Sequence, residues 1–177
     1  MKSDRELIDA INNGQSDAFE VLYYRYRDWI YNLAWRFTGN QSDALDVLQE
    51  TFTYLLGKFP GFELTASMTT FFYPVVKHIS LNLKMKNRKF TSENDISEEI
   101  IDTKKNAADH NSPELAAVLN ILPDELREIL LMKYVDEMSQ DEIAQALNMP
   151  VGTVKSRLYR ALQTLRQDAR TRSYFIE

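Results

Sequence analysis

Residues 139–166 read SQDEIAQALNMPVGTVKSRLYRALQTLR, and the pattern within them decides the fold. Ser139 with Glu142 three places on is a capping box, in which each side chain takes an orphan backbone N–H at a helix start. Ile143, Ala144 and Leu147 then form an apolar face. Asn148 to Pro150 break the period, because a proline disfavours helical geometry in the residue before it. Beyond the break, Val151, Val154, Leu158, Ala161, Leu162 and Leu165 return at helical spacing and define a second buried stripe. The stretch predicts two short amphipathic helices joined by a tight turn, the arrangement of a helix-turn-helix.

The opposite face of the second helix carries Thr153, Lys155, Ser156, Arg157, Tyr159 and Arg160. These side chains supply donors for phosphates and base edges, and the N-terminal part of such a helix is the part that enters the major groove. An ordinary helical hairpin with a solvated basic face is the competing reading. The cap, the turn and the concentration of cations on one helix favour DNA contact.

The net charge of −5 looks wrong for a DNA-binding protein until the charges are located. Lys77, Lys84, Lys86, Arg88 and Lys89 occur with no acid among them, and Lys155, Arg157, Arg160, Arg166, Arg170 and Arg172 face only Asp168. Between these zones, Glu93, Asp95, Glu98, Glu99, Asp102 and Asp109 outweigh Lys104 and Lys105. Two basic surfaces separated by an acidic connector predict two nucleic-acid contacts and weak non-specific binding by the whole chain.

The 177 residues, 44% of them hydrophobic, suffice for one or two small packed domains. No run approaches the roughly 18 uninterrupted apolar residues of a membrane span, so no membrane insertion is expected. The N-terminal MKSDRELIDA has acids and no apolar core, which argues against secretion. The absence of cysteine excludes disulfides, thiolate zinc sites and a cysteine nucleophile, and agrees with a reducing cytoplasm, where the protein is expected to act.

Helical periodicity runs through nearly the whole chain and the alternation of half-buried strands is missing, so the fold class is all-α. Ser3 with Glu6 opens a first helix that stops near Asn13 and Gly14. Ser16 opens a longer one through Phe37, ended by Gly39, and Ser42 opens a third that runs to about Gly57. A further helix begins near Ser67, with Pro74 in its early turns. Ser112, Pro113 and Glu114 mark the next start, and another helix spans Asp124 to about Val135. Two small helical domains, 1–90 and 113–177, joined by a flexible acidic linker, 91–112, are expected, with the helix-turn-helix in the second.

Residues 122–166, LPDELREILLMKYVDEMSQDEIAQALNMPVGTVKSRLYRALQTLR, resemble region 4 of bacterial sigma factors of the extracytoplasmic-function group. Part of that pattern is shared with other helix-turn-helix regulators, so this half leaves a response-regulator DNA-binding domain open. Residues 14–58, from Asp17-Ala18-Phe19 to the run Asp43-Ala44-Leu45-Asp46-Val47-Leu48-Gln49-Glu50, look like sigma region 2 and decide for the sigma factor.

The resemblance implies a factor that binds core RNA polymerase and directs promoter-specific initiation at minus-10 and minus-35 elements. It implies docking of Asp43, Asp46, Gln49 and Glu50 on the clamp helices of the largest catalytic subunit. Spacing is consistent with this, since the three acids share one helical face with Gln49 beside it. The polymerase flap is a further expected contact, and an anti-sigma factor an expected regulator.

Minus-35 DNA would meet Thr153, Lys155, Ser156, Arg157, Tyr159 and Arg160. Minus-10 DNA would meet the loop from about Phe59 to Met68 and the helix after it, through Lys77, His78, Asn82, Lys84, Lys86, Arg88 and Lys89. Trapping unstacked bases suits a pocket beside such a cationic helix. This sequence departs from the family pattern at Phe71, where Trp is usual, at His78, where Asn is usual, at Asn82, where Asp is usual, and at Leu45, where Glu is common. Phe71 and Phe72 are expected in the core rather than against bases.

A stand-alone helix-turn-helix regulator binding an operator is the alternative, but it would need a dimerisation surface or sensor domain that the sequence does not display. An enzyme is the least supported class. His78 and His110, the only histidines, lie in no metal-ligand spacing, and no catalytic residue, metal or cofactor is expected.

Overall fold

The computed structural model describes residues 2–94 and 117–171, the side chains of 89–94 excepted. The chain separates into two compact units, residues 1–101 and 102–177. Every regular element among the described residues is a helix. The expected start at Ser112 and most of the expected linker fall outside those residues.

The first unit holds α1 (Asp4–Asn12), α2 (Asp17–Thr38), α3 (Gln41–Leu56) and α4 (Met68–Asn94). Helix α1 starts on the predicted capping box: Ser3 Oγ accepts from Glu6 N at 3.3 Å while Ser3 N donates to Glu6 Oε2 at 2.6 Å. Helix α2 ends at Gly39, whose φ of 81° is the left-handed geometry that a residue without Cβ adopts freely. Two predicted starts differ. Ser16 precedes α2 but makes no side-chain cap, because Ala18 N and Phe19 N are taken by the carbonyls of Gln15 and Ser16 in the preceding turn. Helix α3 starts earlier than Ser42: Asn40 is extended, and its Oδ1 accepts from Asp43 N at 2.8 Å. Helix α4 opens with Ser67 Oγ accepting from Thr70 N at 3.2 Å and runs on to Asn94, past the expected domain end at residue 90.

Helix α2 packs on α1, α3 and α4, and α3 on α4. Their apolar stripes converge, with Leu22, Ile30, Leu33, Val47, Leu55, Phe72 and Val76 all essentially without solvent exposure. Phe72 is the hub. Its ring meets Phe52 edge-on at 5.7 Å and tilts against Tyr26 at 5.5 Å. Removing such a ring from a packed core costs about 3–5 kcal/mol.

The second unit holds α5 (Asp124–Tyr134), α6 (Gln140–Ala146) and α7 (Val151–Gln167). Arg127 on α5 reaches back to the turn before it, donating from Nε to the Leu119 carbonyl at 2.8 Å and from Nη2 to the Leu122 carbonyl at 2.9 Å. Helices α5, α6 and α7 pack mutually around Ile129, Met132, Ile143, Val154, Leu158 and Ala161.

Candidate nucleic-acid and polymerase interfaces

The turn between α6 and α7 is built as the sequence predicts. Ser139 and Glu142 form the reciprocal cap of α6, at 3.2 and 2.7 Å. At the other end Asn148 adopts a φ of 49°, and the amides of Asn148 and Met149 close on the carbonyls of Gln145 and Ala144 at 3.2 and 2.9 Å. This pair of bonds is the Schellman arrangement, and asparagine tolerates its left-handed residue. Pro150 then starts α7 without a side-chain cap. Free amides at a helix start suit an anion such as a DNA phosphate.

Helix α7 buries Val154, Leu158, Ala161 and Leu165 and turns Lys155, Ser156, Tyr159 and Arg160 to solvent. Tyr159 is 63% exposed, and its hydroxyl accepts from Gln163 Nε2 at 2.8 Å. Gln163 was not among the expected site residues, although its place one turn beyond Tyr159 is the available signal. Thr153 is half-buried, and its carbonyl accepts from Ser156 Oγ at 3.0 Å. Arg157 is set apart from the exposed group: it flanks the buried stripe, and its Nη2 lies 2.9 Å from Glu125 Oε2 on α5. In the free protein, this candidate base reader is already engaged.

The candidate residues of α4 also divide. His78, Asn82 and Lys86 lie on an exposed strip at helical spacing, with Asn82 Nδ2 and His78 Nε2 2.9 Å apart. Arg88 is exposed as well. Lys77 and Lys84 are half-buried, and Lys84 Nζ reaches the Phe37 carbonyl at 3.5 Å. A lysine beside the last carbonyls of α2 favours the negative end of that helix, which is a stabilising contact in its own right. The Lys89 side chain lies outside the described residues.

On α3, Asp46, Gln49 and Glu50 are exposed together, with Leu45 and Thr53 beside them. Asp43 is half-buried, and its Oδ2 accepts from Asn40 Nδ2 at 2.8 Å and from Asn87 Nδ2 of α4 at 3.1 Å. The expected docking set therefore splits into an open acidic patch and an acid that also ties α3 to α4.

The loop between α3 and α4 brings Phe59 and Phe62, the latter not named in the sequence analysis, against Tyr54 at the end of α3 and Phe71 at the start of α4. Phe62 meets Phe59 at 5.6 Å and Phe71 at 4.9 Å, Phe71 stacks on Tyr54 at 6.3 Å, and Lys58 Nζ sits 4.5 Å from the Tyr54 ring. Phe72 is wholly buried as expected, whereas Phe71 is half-buried and joins the core to the loop.

Residues 22–90 match the family model for sigma-70 region 2, and residues 113–165 match that for sigma-70 region 4. The ECF RNA polymerase sigma factor SigW of Bacillus subtilis is 29% identical over 94% of this chain and 96% of its own length. The RNA polymerase sigma-H factor of Pseudomonas aeruginosa is 26% identical over 93% of this chain and 92% of its own. Among solved structures, CnrH in complex with the cytosolic domain of CnrY shares the fold at a TM-score of 0.66, with 21% identity over 92% of this chain and 94% of that one. Both halves of the molecule are thereby accounted for, and the chain belongs to the sigma-70 family of RNA polymerase sigma factors, in its extracytoplasmic-function group.

Proposed function

We propose that the protein is a dissociable initiation factor that binds core RNA polymerase and directs it to promoters carrying minus-10 and minus-35 elements. In this reading Asp46, Gln49 and Glu50, with Asp43 at their edge, dock on the clamp of the largest subunit, and the flap is a second polymerase contact. Lys155, Ser156, Tyr159 and Arg160 meet minus-35 DNA from the exposed face of α7, with Thr153 and Arg157 flanking them. His78, Asn82, Lys86 and Arg88 meet the minus-10 strand, with Lys77, Lys84 and Lys89 adding positive potential. The factor acts in the cytoplasm without catalysis of its own, and an anti-sigma factor holds it inactive until a signal arrives.

The observation that carries the proposal is the presence in one chain of two units of different chemistry. One has an open acidic patch on α3 and, on α4, an exposed polar strip with the cations Lys86 and Arg88, and the other has a helix-turn-helix whose second helix exposes donors. A stand-alone operator-binding regulator has no use for region 2, and the region 2 match disfavours it. No helix among the described residues is long and apolar enough to cross a membrane.

The test is transcription in vitro by bacterial core polymerase on a genomic fragment library, with and without the protein, sequencing RNA 5′ ends. New discrete starts sharing two spaced upstream elements are expected. Absence of both polymerase binding and new starts with a suitable core enzyme would return the operator-binding regulator to the lead.

A further inference from the structure

The loop between α3 and α4 is tied to a residue that lies far from it in sequence. Asn12, the last residue of α1, donates from Nδ2 to the Phe62 carbonyl at 3.0 Å, and its Oδ1 accepts from Gly61 N at 2.7 Å and Phe62 N at 3.2 Å. An irregular loop has no ladder to satisfy its backbone groups, so a side-chain amide that both donates and accepts can replace one. Gly61 has a φ of 101°, a conformation open to residues without Cβ, and this turns two successive amides toward the same oxygen. On its other side the loop is anchored by the Phe62 ring against Phe71 of α4. The loop is thus clamped at Phe62 by its backbone to α1 and by its side chain to α4.

Asn12 precedes residue 22, where the region 2 match begins. We infer that Asn12 is a positioning residue for minus-10 recognition: α1 holds the α3–α4 loop in the conformation that receives the unstacked strand. The inference rests on the assignment of this loop and α4 to the minus-10 element. Asn12 itself has its oxygen and one amide hydrogen committed to the loop backbone, so it acts through the loop and does not read a base. A loop released from it samples other conformations, and apparent affinity falls by the fraction that remains competent.

The experiment uses the full chain assembled with core polymerase on promoters randomised across the minus-10 and minus-35 elements, with transcripts sequenced. Wild-type holoenzyme, Asn12→Ala and Asn12→Asp are compared, alongside Leu7→Val, a control that thins the buried face of α1. With Asn12→Ala, more of the holoenzyme engages the strand through a loop that does not read its bases, so base preference at minus-10 falls by about fivefold or more, while preference at minus-35 and core binding are unchanged. Asn12→Asp keeps an acceptor for the two loop amides but sets a carboxylate oxygen against the Phe62 carbonyl, so a loss of minus-10 preference is again expected; it decides the matter if the alanine variant does not fold. Leu7→Val lowers thermal stability and leaves minus-10 preference intact.

If wild type shows no base preference upstream at the minus-10 position, the assignment of the loop fails. If wild type shows it and both Asn12 variants retain it, the assignment stands and the role of Asn12 is refuted. Loss of preference in Leu7→Val equal to that in Asn12→Ala at matched stability would likewise refute it, since general loosening of α1 would then suffice.

Discussion

If Arg157 reads a base, as proposed, its ion pair with Glu125 sets a measurable cost on DNA recognition. Arg157 Nη2 and Glu125 Oε2 lie 2.9 Å apart, with the arginine side chain 29% exposed and the glutamate 72% exposed. So exposed a pair is screened, and its worth is about 0.2–1 kcal/mol. To reach a base edge, Arg157 gives up this partner, and the complex is weakened by that amount. Glu125→Gln removes the competitor and keeps the shape, so promoter duplex affinity rises by about 1.4- to 5-fold. The carboxylate also repels phosphates within a Debye length of about 8 Å, an effect that needs no arginine. A double-mutant cycle separates the two. Arg157→Ala by itself weakens binding by about 5- to 150-fold if a bidentate base contact is lost, equivalent to about 1–3 kcal/mol. In that background Glu125→Gln retains only the field effect. Fluorescence anisotropy on a minus-35 duplex at fixed salt reads all four corners. An equal gain from Glu125→Gln with and without Arg157 would refute the reasoning, as would unchanged affinity in Arg157→Ala.

Other expectations follow from the same geometry. Reversing Asp46 and Glu50 to lysine abolishes capture by core polymerase in a pull-down and leaves full-chain binding to a minus-35 duplex intact; persistent capture would place the docking face elsewhere. Gly39→Ala forces a Cβ into a left-handed helix end and lowers stability by about 1 kcal/mol, read from urea unfolding. The Glu6 carboxyl is held below its ordinary pKa, first by the backbone N–H of Ser3 and then by the Ser3 hydroxyl. A depressed folded-state pKa means that the contribution to stability is complete above the unfolded-state pKa and is lost as pH falls through the folded one. Proton titration by NMR should show Glu6 moving back toward the ordinary value in Ser3→Ala and not in Ser139→Ala.

Much of the helix layout was legible because helices are punctuated locally. The caps at Ser3, Ser67 and Ser139, the stop at Gly39, the break before α7 and the stripe of α7 all depend on residues within a turn or two of one another. Where the reading missed, a nearby competitor won. Asn40, already extended after Gly39, capped α3 ahead of Ser42, and the backbone carbonyls of a tight turn left the Ser16 hydroxyl without its cap bond.

Two candidate surfaces were legible as periodic faces, the acids of α3 and the donors of α7, whereas α4 was legible only as a run of cations that the fold divides into exposed and half-buried members. Periodicity, however, does not say which member of a face is already spoken for. Lys84 is bonded to the Phe37 carbonyl, Asp43 to Asn87, Arg157 to Glu125 and Asn12 to the loop at Gly61 and Phe62. The sequence by itself determined the helices, several of their ends, the helix-turn-helix and the charge of each surface, because those follow from neighbours along the chain. Only the tertiary structure decided which charged and amide side chains stay free for a partner, because their competitors sit on other helices or loops, in the case of Asn12 and Phe62 as far as 50 residues away, and packing alone brings them within hydrogen-bonding distance.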